Sequence, residues 1–517
     1  MITETKLDHY IKNNLFLFLS ILVISSISIR LFFLPFETPF KTDAIDYLIF
    51  ALETSKTTQF PIGILKTSDG WPLLLSPLFS ILETSDIMTF VNAQRITSIL
   101  ISSLTIIPIY FLCKKFVSSK YAIIGAGLFG FNHRLMENSI LGLTESLFLF
   151  FITLVLFFSL SKNTKFYLIA FIFLGLASIT RYEALLFLIP LSVIFFIKFH
   201  KEKNYYLKFS LFIFIFILIL LPIASLRLDS NDMDGFTSHL VIFSMPERYP
   251  SIVETEANGS FQTERSFIFI SLINTLKFLG LVSIPIFIFF IPTGIFNLIK
   301  SRNPNLFYLL FFGIFFILPA IYAYGRDFQE TRYLYILFPI FCVISVYGLN
   351  LIKTSNKNGF FILILSILLL SSIVLLNFEQ SDHQYNSEIY QITKNIVKNA
   401  NGVNSYSGSS YLKLATLEIF WPNSIPLDER GKASSNVKTI PSEKYNSIED
   451  YISNSKEFNL THIVLTENNR SLMLDRLMLN YDKYEYLEKV FDSEKNNFKN
   501  KIIILKINYE KFYNQLN

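Results

Sequence analysis

Apolar runs of about 20 residues recur from Leu15 to Leu376, and a bilayer core of roughly 30 Å is the solvent that demands them at that length. The chain of 517 residues is 52% hydrophobic and 16% aromatic, with 56 Phe, more long apolar stretches than a soluble core uses. It reads as a polytopic α-helical membrane protein. The first run, Leu15 to Leu34, lacks a small-residue cleavage site and many others follow it, so it reads as a retained signal anchor. The formal net charge of +5 is spread over short loops, which points away from nucleic acid and leaves the basic residues to report topology. Cys113 and Cys342 both fall in apolar spans, so no disulfide or metal framework is expected.

If lysine-rich turns mark the cytoplasmic side, the spans follow in order. They are 15–34, 90–112, 121–131, 141–160, two short helices within 165–198, 209–226, 267–298, 306–324, one ending at Lys353, and 360–376. The stretch 165–198 is divided at Arg181, because one helix rising 1.5 Å per residue would overshoot the bilayer by roughly half. This gives about eleven transmembrane helices, with the N-terminus inside and the C-terminus outside. The first outer loop, 35–88, contains a second apolar piece, Trp71 to Leu82, preceded by Ser68, Asp69 and Gly70 and interrupted by Pro72 and Pro77. It is too short to span and is expected in the interface, with Trp71 and Tyr47 as interface anchors.

From Phe378 the composition becomes that of a soluble domain. Helical patterns (Ser387 to Ala400, Ser447 to Phe458, Arg470 to Asn480) alternate with strand-like runs (Thr461 to Thr466, Tyr484 to Phe491, Lys501 to Ile507). Ser447 and Asp450 form a capping box. The division is therefore a membrane domain, 1–377, followed by a small extracytoplasmic α/β domain, 378–517. The latter has no glycine-rich phosphate loop and is assigned no cofactor. Asn258, Asn459 and Asn469 match glycosylation acceptors, a weak pattern.

Ionisable residues at a membrane boundary are candidates for function, because burying a charge there is expensive unless it is paired or used. The topology gathers five groups on the outer side: Asp43 with Asp46; His133, Arg134 and Glu137; Glu145; Arg181 with Glu183; and Arg326, Asp327, Glu330 and Arg332. In the first, two carboxylates three residues apart share a helix face with Tyr47. Thr42 is placed to cap that helix, and the helix dipole favours ionised Asp43. Bland readings compete: solvated helix-start carboxylates, local ion pairs at Arg326 and Arg332, a packed His133. Arg181 with Glu183 is also readable as a local structural pair, although residues two apart do not face each other on a helix.

Several of these turns together resemble the GT-C superfamily of membrane glycosyltransferases, which includes protein O-mannosyltransferases and aminoarabinose transferases. The resemblance rests on Asp43 with Tyr47; on Leu143, Thr144 and Glu145 before a phenylalanine-rich helix; on Gly175, Leu176, Ala177, then Thr180, Arg181, Tyr182 and Glu183; and on Arg332, Tyr333 and Pro339. It covers about the first 375 residues. Those branches carry Glu directly after the loop aspartate, where this chain has Ala44; Asp46 stands in for it.

The resemblance implies transfer of a sugar from a polyprenyl or dolichyl phosphate to a protein, lipid or glycan acceptor on the outer face. A phosphate leaves as a stable anion and needs no protonating acid, so a carboxylate base and cationic clamps suffice. Asp43 is then expected as the base and Asp46 and Glu145 as residues orienting the acceptor. Arg181 and Arg332, with Arg326 nearby, would hold the lipid phosphate, and Tyr47, Glu183 and His133 would line the acceptor side. No cofactor is required; a divalent metal ion on Asp43, Asp46 and Glu145 is the alternative. Against this stands a secondary transporter or flippase of lipid-linked sugars, which would place charges near the midplane in repeated halves. A third reading is a sensor whose outer domain binds a partner, for which eleven spans are excessive.

Overall fold

A computed structural model describes residues 6–40, 43–61, 68–82, 84, 86–231, 234–237, 264–301, 303–326, 328–350, 357–379, 383–421, 434–467, 469 and 471–516. Thr42, Asp327 and the Asn258 tripeptide lie outside them. The chain divides into two compact units. One comprises Met1–Leu34, Leu65–Leu75 and Gln94–Asn377; the other comprises Pro35–Ile64, Ser76–Ala93 and Phe378–Asn517. The sequence reading puts the whole loop 35–88 with the spans, whereas most of it packs with the C-terminal residues.

The first unit is helical. Seven helices among the described residues are long and apolar enough to cross a membrane, or eight if one bent pair counts as a span. The other three segments expected to cross are the shorter helices Ser119–Gly130, Glu145–Ser159 and Thr164–Thr180. The bent pair replaces the single span expected at 267–298. Helices Glu264–Ser283 and Phe287–Ser301 meet at a bend of 107°, at Pro285, which lacks the amide hydrogen a continuous helix needs. Close crossing is possible where side chains vanish: a Cβ on Gly294 would run into the Ile344 carbonyl oxygen, so Phe287–Ser301 and Phe338–Leu349 touch backbone to backbone.

Polar pins hold this apolar bundle, and the sequence reading missed most of them. Arg30 is fully buried. It donates to Ser139 Oγ at 3.0 Å, the Ser26 carbonyl at 3.2 Å, and Ser102 and Ser103 Oγ at 3.3 Å each, and it also contacts Ser26 Oγ. A guanidinium has five N–H donors to satisfy, and here hydroxyls and a carbonyl from separate helices meet them. Trp71, expected at the interface, is also fully buried. Its indole Nε1 and Gln94 Nε2 both donate to the Gly142 carbonyl, at 3.0 and 2.9 Å. Gly142 itself sits at φ +71°, where a side chain would be strained.

The second unit holds a five-stranded sheet made of β1 (Gly402–Asn404), β2 (Lys438–Ile440), β3 (His462–Thr466), β4 (Leu487–Asp492) and β5 (Ile502–Ile507). Their order is β2-β1-β3-β5-β4, with β1 parallel to β2 and β3, and β5 antiparallel to β3 and β4. Asn404 continues the short β1–β3 pairing with its side chain: Nδ2 donates to the Val464 carbonyl at 2.9 Å, and Oδ1 accepts from its N–H at 2.7 Å. Ser447 caps the helix Ile448–Ser455 by accepting from the Asp450 N–H, as its spacing predicts. Asn469 is engaged within the domain, accepting from the Thr466 N–H and donating to Asp475.

Asp69 and Arg227 form a buried bidentate pair, both contacts at 2.5 Å, tying the start of helix Gly70–Ile81 to helix Tyr205–Asn231. Removing one partner of such a pair strands a charge, whereas replacing both with apolar groups does not. Asp69→Ala is therefore expected to cost about 3–5 kcal/mol. The double variant Asp69→Leu with Arg227→Met should recover most of it, as read by thermal unfolding in detergent.

Candidate functional site

Three span mouths of the helical unit converge on one cleft. Glu145 is the first residue of helix Glu145–Ser159, where the positive end of the dipole favours a carboxylate. Arg181 ends helix Thr164–Thr180 in extended geometry, φ −149° and ψ 123°, just before the 3-10 turn Tyr182–Phe187. Arg332 is the second residue of the 3-10 turn Thr331–Leu337, which leads into helix Phe338–Leu349. Both arginines thus sit where a span begins with a tight turn. The break expected at Arg181 is there.

Within the cleft Arg181 lies between two carboxylates. Its Nη1 is 2.6 Å from Glu145 Oε1, while Nη2 and Nε face Glu183 Oε1 and Oε2 at 2.8 and 3.4 Å. The extended backbone at Arg181 explains the second contact, because the rule that residues two apart look away from each other belongs to a continuous helix. Glu145 is 3% exposed, and its Oε2 has no hydrogen-bond partner among the described residues. Arg332 lines the same cleft and pairs with Glu330. Phe148, Phe187 and Phe316 form an apolar wall, with Tyr333 and Tyr335 beside Arg332. The sequence reading did not single out this wall, since nothing separates Phe187 or Phe316 from the other phenylalanines of so rich a chain.

The remaining candidates have partners of their own. Arg326 stacks on the Tyr322 ring at 4.8 Å and does not line the cleft. Glu145, expected to orient an acceptor, is instead committed to Arg181. His133 is buried in the short helix His133–Ile140, and neighbouring Arg134 donates to the Leu281 carbonyl at 3.1 Å.

Asp43, Asp46 and Tyr47 belong to the second unit. Asp43 opens helix Asp43–Thr57, half-buried. Asp46 pairs with Lys413 Nζ at 3.4 Å, and Tyr47 is buried rather than an interface anchor. Lys56 of the same helix lies over the Trp421 ring at 3.7 Å. Among the described residues no three His, Cys, Asp or Glu side chains are grouped closely enough to hold a metal ion.

The chain is a polytopic membrane protein whose fold is similar to that of the solved GT-C proteins named below. The sequence profile of the dolichyl-phosphate-mannose-protein mannosyltransferase family matches residues 87–226. The oligosaccharyltransferase of Archaeoglobus fulgidus superposes with a TM-score of 0.53 at 14% identity, over 87% of this chain and 69% of that one. Another structure of that archaeal enzyme, AglB with an inhibitory peptide and a dolichol-phosphate, gives 0.52 at 14% identity over 88% and 70%. ArnT from Cupriavidus metallidurans, bound to undecaprenyl phosphate, gives 0.54 at 11% identity over 95% and 98%. No curated protein sequence matches the chain.

His133 lies between the spans, and burial, with a smaller contribution from the Arg134 charge, pushes its imidazole down to about 4. In the unfolded chain it takes up a proton near pH 6.5. Between these values the unfolded state binds more protons, so folding stability falls as pH drops from about 6.5 to about 4. Melting temperature followed across that window should show this loss in the native chain, and His133→Gln should flatten it.

Proposed function

We propose that the chain is a glycosyltransferase that moves a sugar from a polyprenyl- or dolichyl-phosphate donor to an acceptor on the outer face of the membrane. The observation that carries this is the cleft itself: Arg181 and Arg332 line one opening at the mouths of two spans. Guanidinium matches phosphate oxygens in a planar fork, and the aromatic wall suits a lipid or sugar face. Solved GT-C neighbours with a dolichol-phosphate or undecaprenyl phosphate bound support the class of donor.

In this reaction the acceptor oxygen or nitrogen attacks the anomeric carbon, and the bond from that carbon to the phosphate oxygen breaks. The electron pair stays on the phosphate, whose developing charge Arg181 and Arg332 offset. The acceptor proton goes to a carboxylate base, the role assigned to Asp43, with Asp46 orienting the acceptor. The lysine-rich turns support an N-terminus inside and a C-terminus outside.

Transfer of labelled sugar from a polyprenyl-phosphate hexose into native membranes tests this. Asp43→Asn should lower turnover by about 10²–10⁴-fold, and Arg181→Gln should raise the KM for donor roughly tenfold, the worth of one charge-assisted contact. Unchanged turnover in Asp43→Asn removes the base.

A further inference from the structure

The two carboxylates on Arg181 are not equivalent. Glu145 meets one terminal nitrogen from the first turn of a 15-residue helix and is almost wholly buried. Glu183 takes the Nε and Nη2 edge with both its oxygens. That edge is one of the two by which a guanidinium can grip a phosphate bidentately, and Glu183 reaches it from a six-residue 3-10 turn with a side chain 14% exposed. The cleft that both line holds about 20 Å³, room for about one water. Two guanidiniums, Arg181 and Arg332, also stand there against the carboxylates of Glu145, Glu183 and Glu330. In this state the cleft is no anion site.

We infer that Glu183 is a displaceable stand-in for the phosphate on Arg181, while Glu145 is the positioning residue that keeps the guanidinium aimed. The inference rests on the proposed donor class. Entry of the phosphate moves Glu183 off the fork, hands both N–H groups to phosphate oxygens and leaves the Glu145 contact in place. Oε2 of Glu145, buried at the cleft and without a partner among the described residues, then accepts from a hydroxyl of the same ligand. The site is thereby fitted to a phosphate ester with a hydroxyl-bearing group next to the anion.

Binding of farnesyl phosphate and of inorganic phosphate to the full chain in detergent tests this with Glu183→Gln and Arg181→Gln. Removing the competing carboxylate should tighten ester binding about tenfold, and removing the guanidinium should weaken it by about as much. A larger gain for the ester than for inorganic phosphate assigns the anion to a lipid headgroup; an equal gain assigns it to free phosphate; either supports displacement. A structure of the wild-type chain with the ester bound, which needs no variant to fold, should show Glu183 off Arg181 and Glu145 still on it. If Glu183→Gln binds no tighter, or the bound structure keeps the Glu183 contact, displacement is wrong even where Arg181→Gln weakens binding. Ester binding indifferent to Arg181→Gln would instead overturn the donor reading itself.

Discussion

The contact between Arg181 and Glu145 organises the helical unit's cleft, because a charge at such depth persists only if something of opposite sign is built to meet it. Glu145 comes from the start of one helix and Arg181 from the end of the next. Their 2.6 Å contact fixes the loop between Thr164–Thr180 and Leu188–Phe199 against Glu145–Ser159. Arg332 enters from a third segment and brings its own partner, Glu330. The cleft is therefore a set of compensated charges held by apolar walls, and its chemistry depends on which compensating carboxylate can yield.

The rest of the bundle meets its buried polar groups at three further places. Arg30 relies on serine hydroxyls and a carbonyl, whereas Arg227 takes a carboxylate side-on from Asp69. The Gly142 carbonyl receives both Trp71 and Gln94. These contacts tie residues of the first loop to the helices. Without water in the surroundings, each unmade hydrogen bond would cost its full desolvation penalty. In the second unit, Asp46 on Lys413 and Lys56 over Trp421 join the loop helix to helix Leu412–Phe420 and its C-terminal cap.

The apolar run lengths alone require a multi-span helical protein, and alternating patterns beyond residue 378 require a mixed α/β domain. The interruption at Arg181, Tyr182 and Glu183 was also legible, since two charges within three residues of an apolar stretch mark a span end. The long strands β3, β4 and β5 carried a readable pattern. The three-residue strands β1 and β2 did not, because so few residues show no period and their pairing is set by neighbours.

Sequence by itself determined which residue types had to be where water is absent and which had to stand at the boundary, because hydrophobic length and charge act locally. Only the tertiary structure decided the partners. That Arg181 is held by Glu145, 36 positions away, that Trp71 is buried instead of interfacial, and that Asp69 finds Arg227 across 158 positions are outcomes of packing. Ion pairs and side-chain hydrogen bonds are set by three-dimensional proximity, which no local spacing encodes.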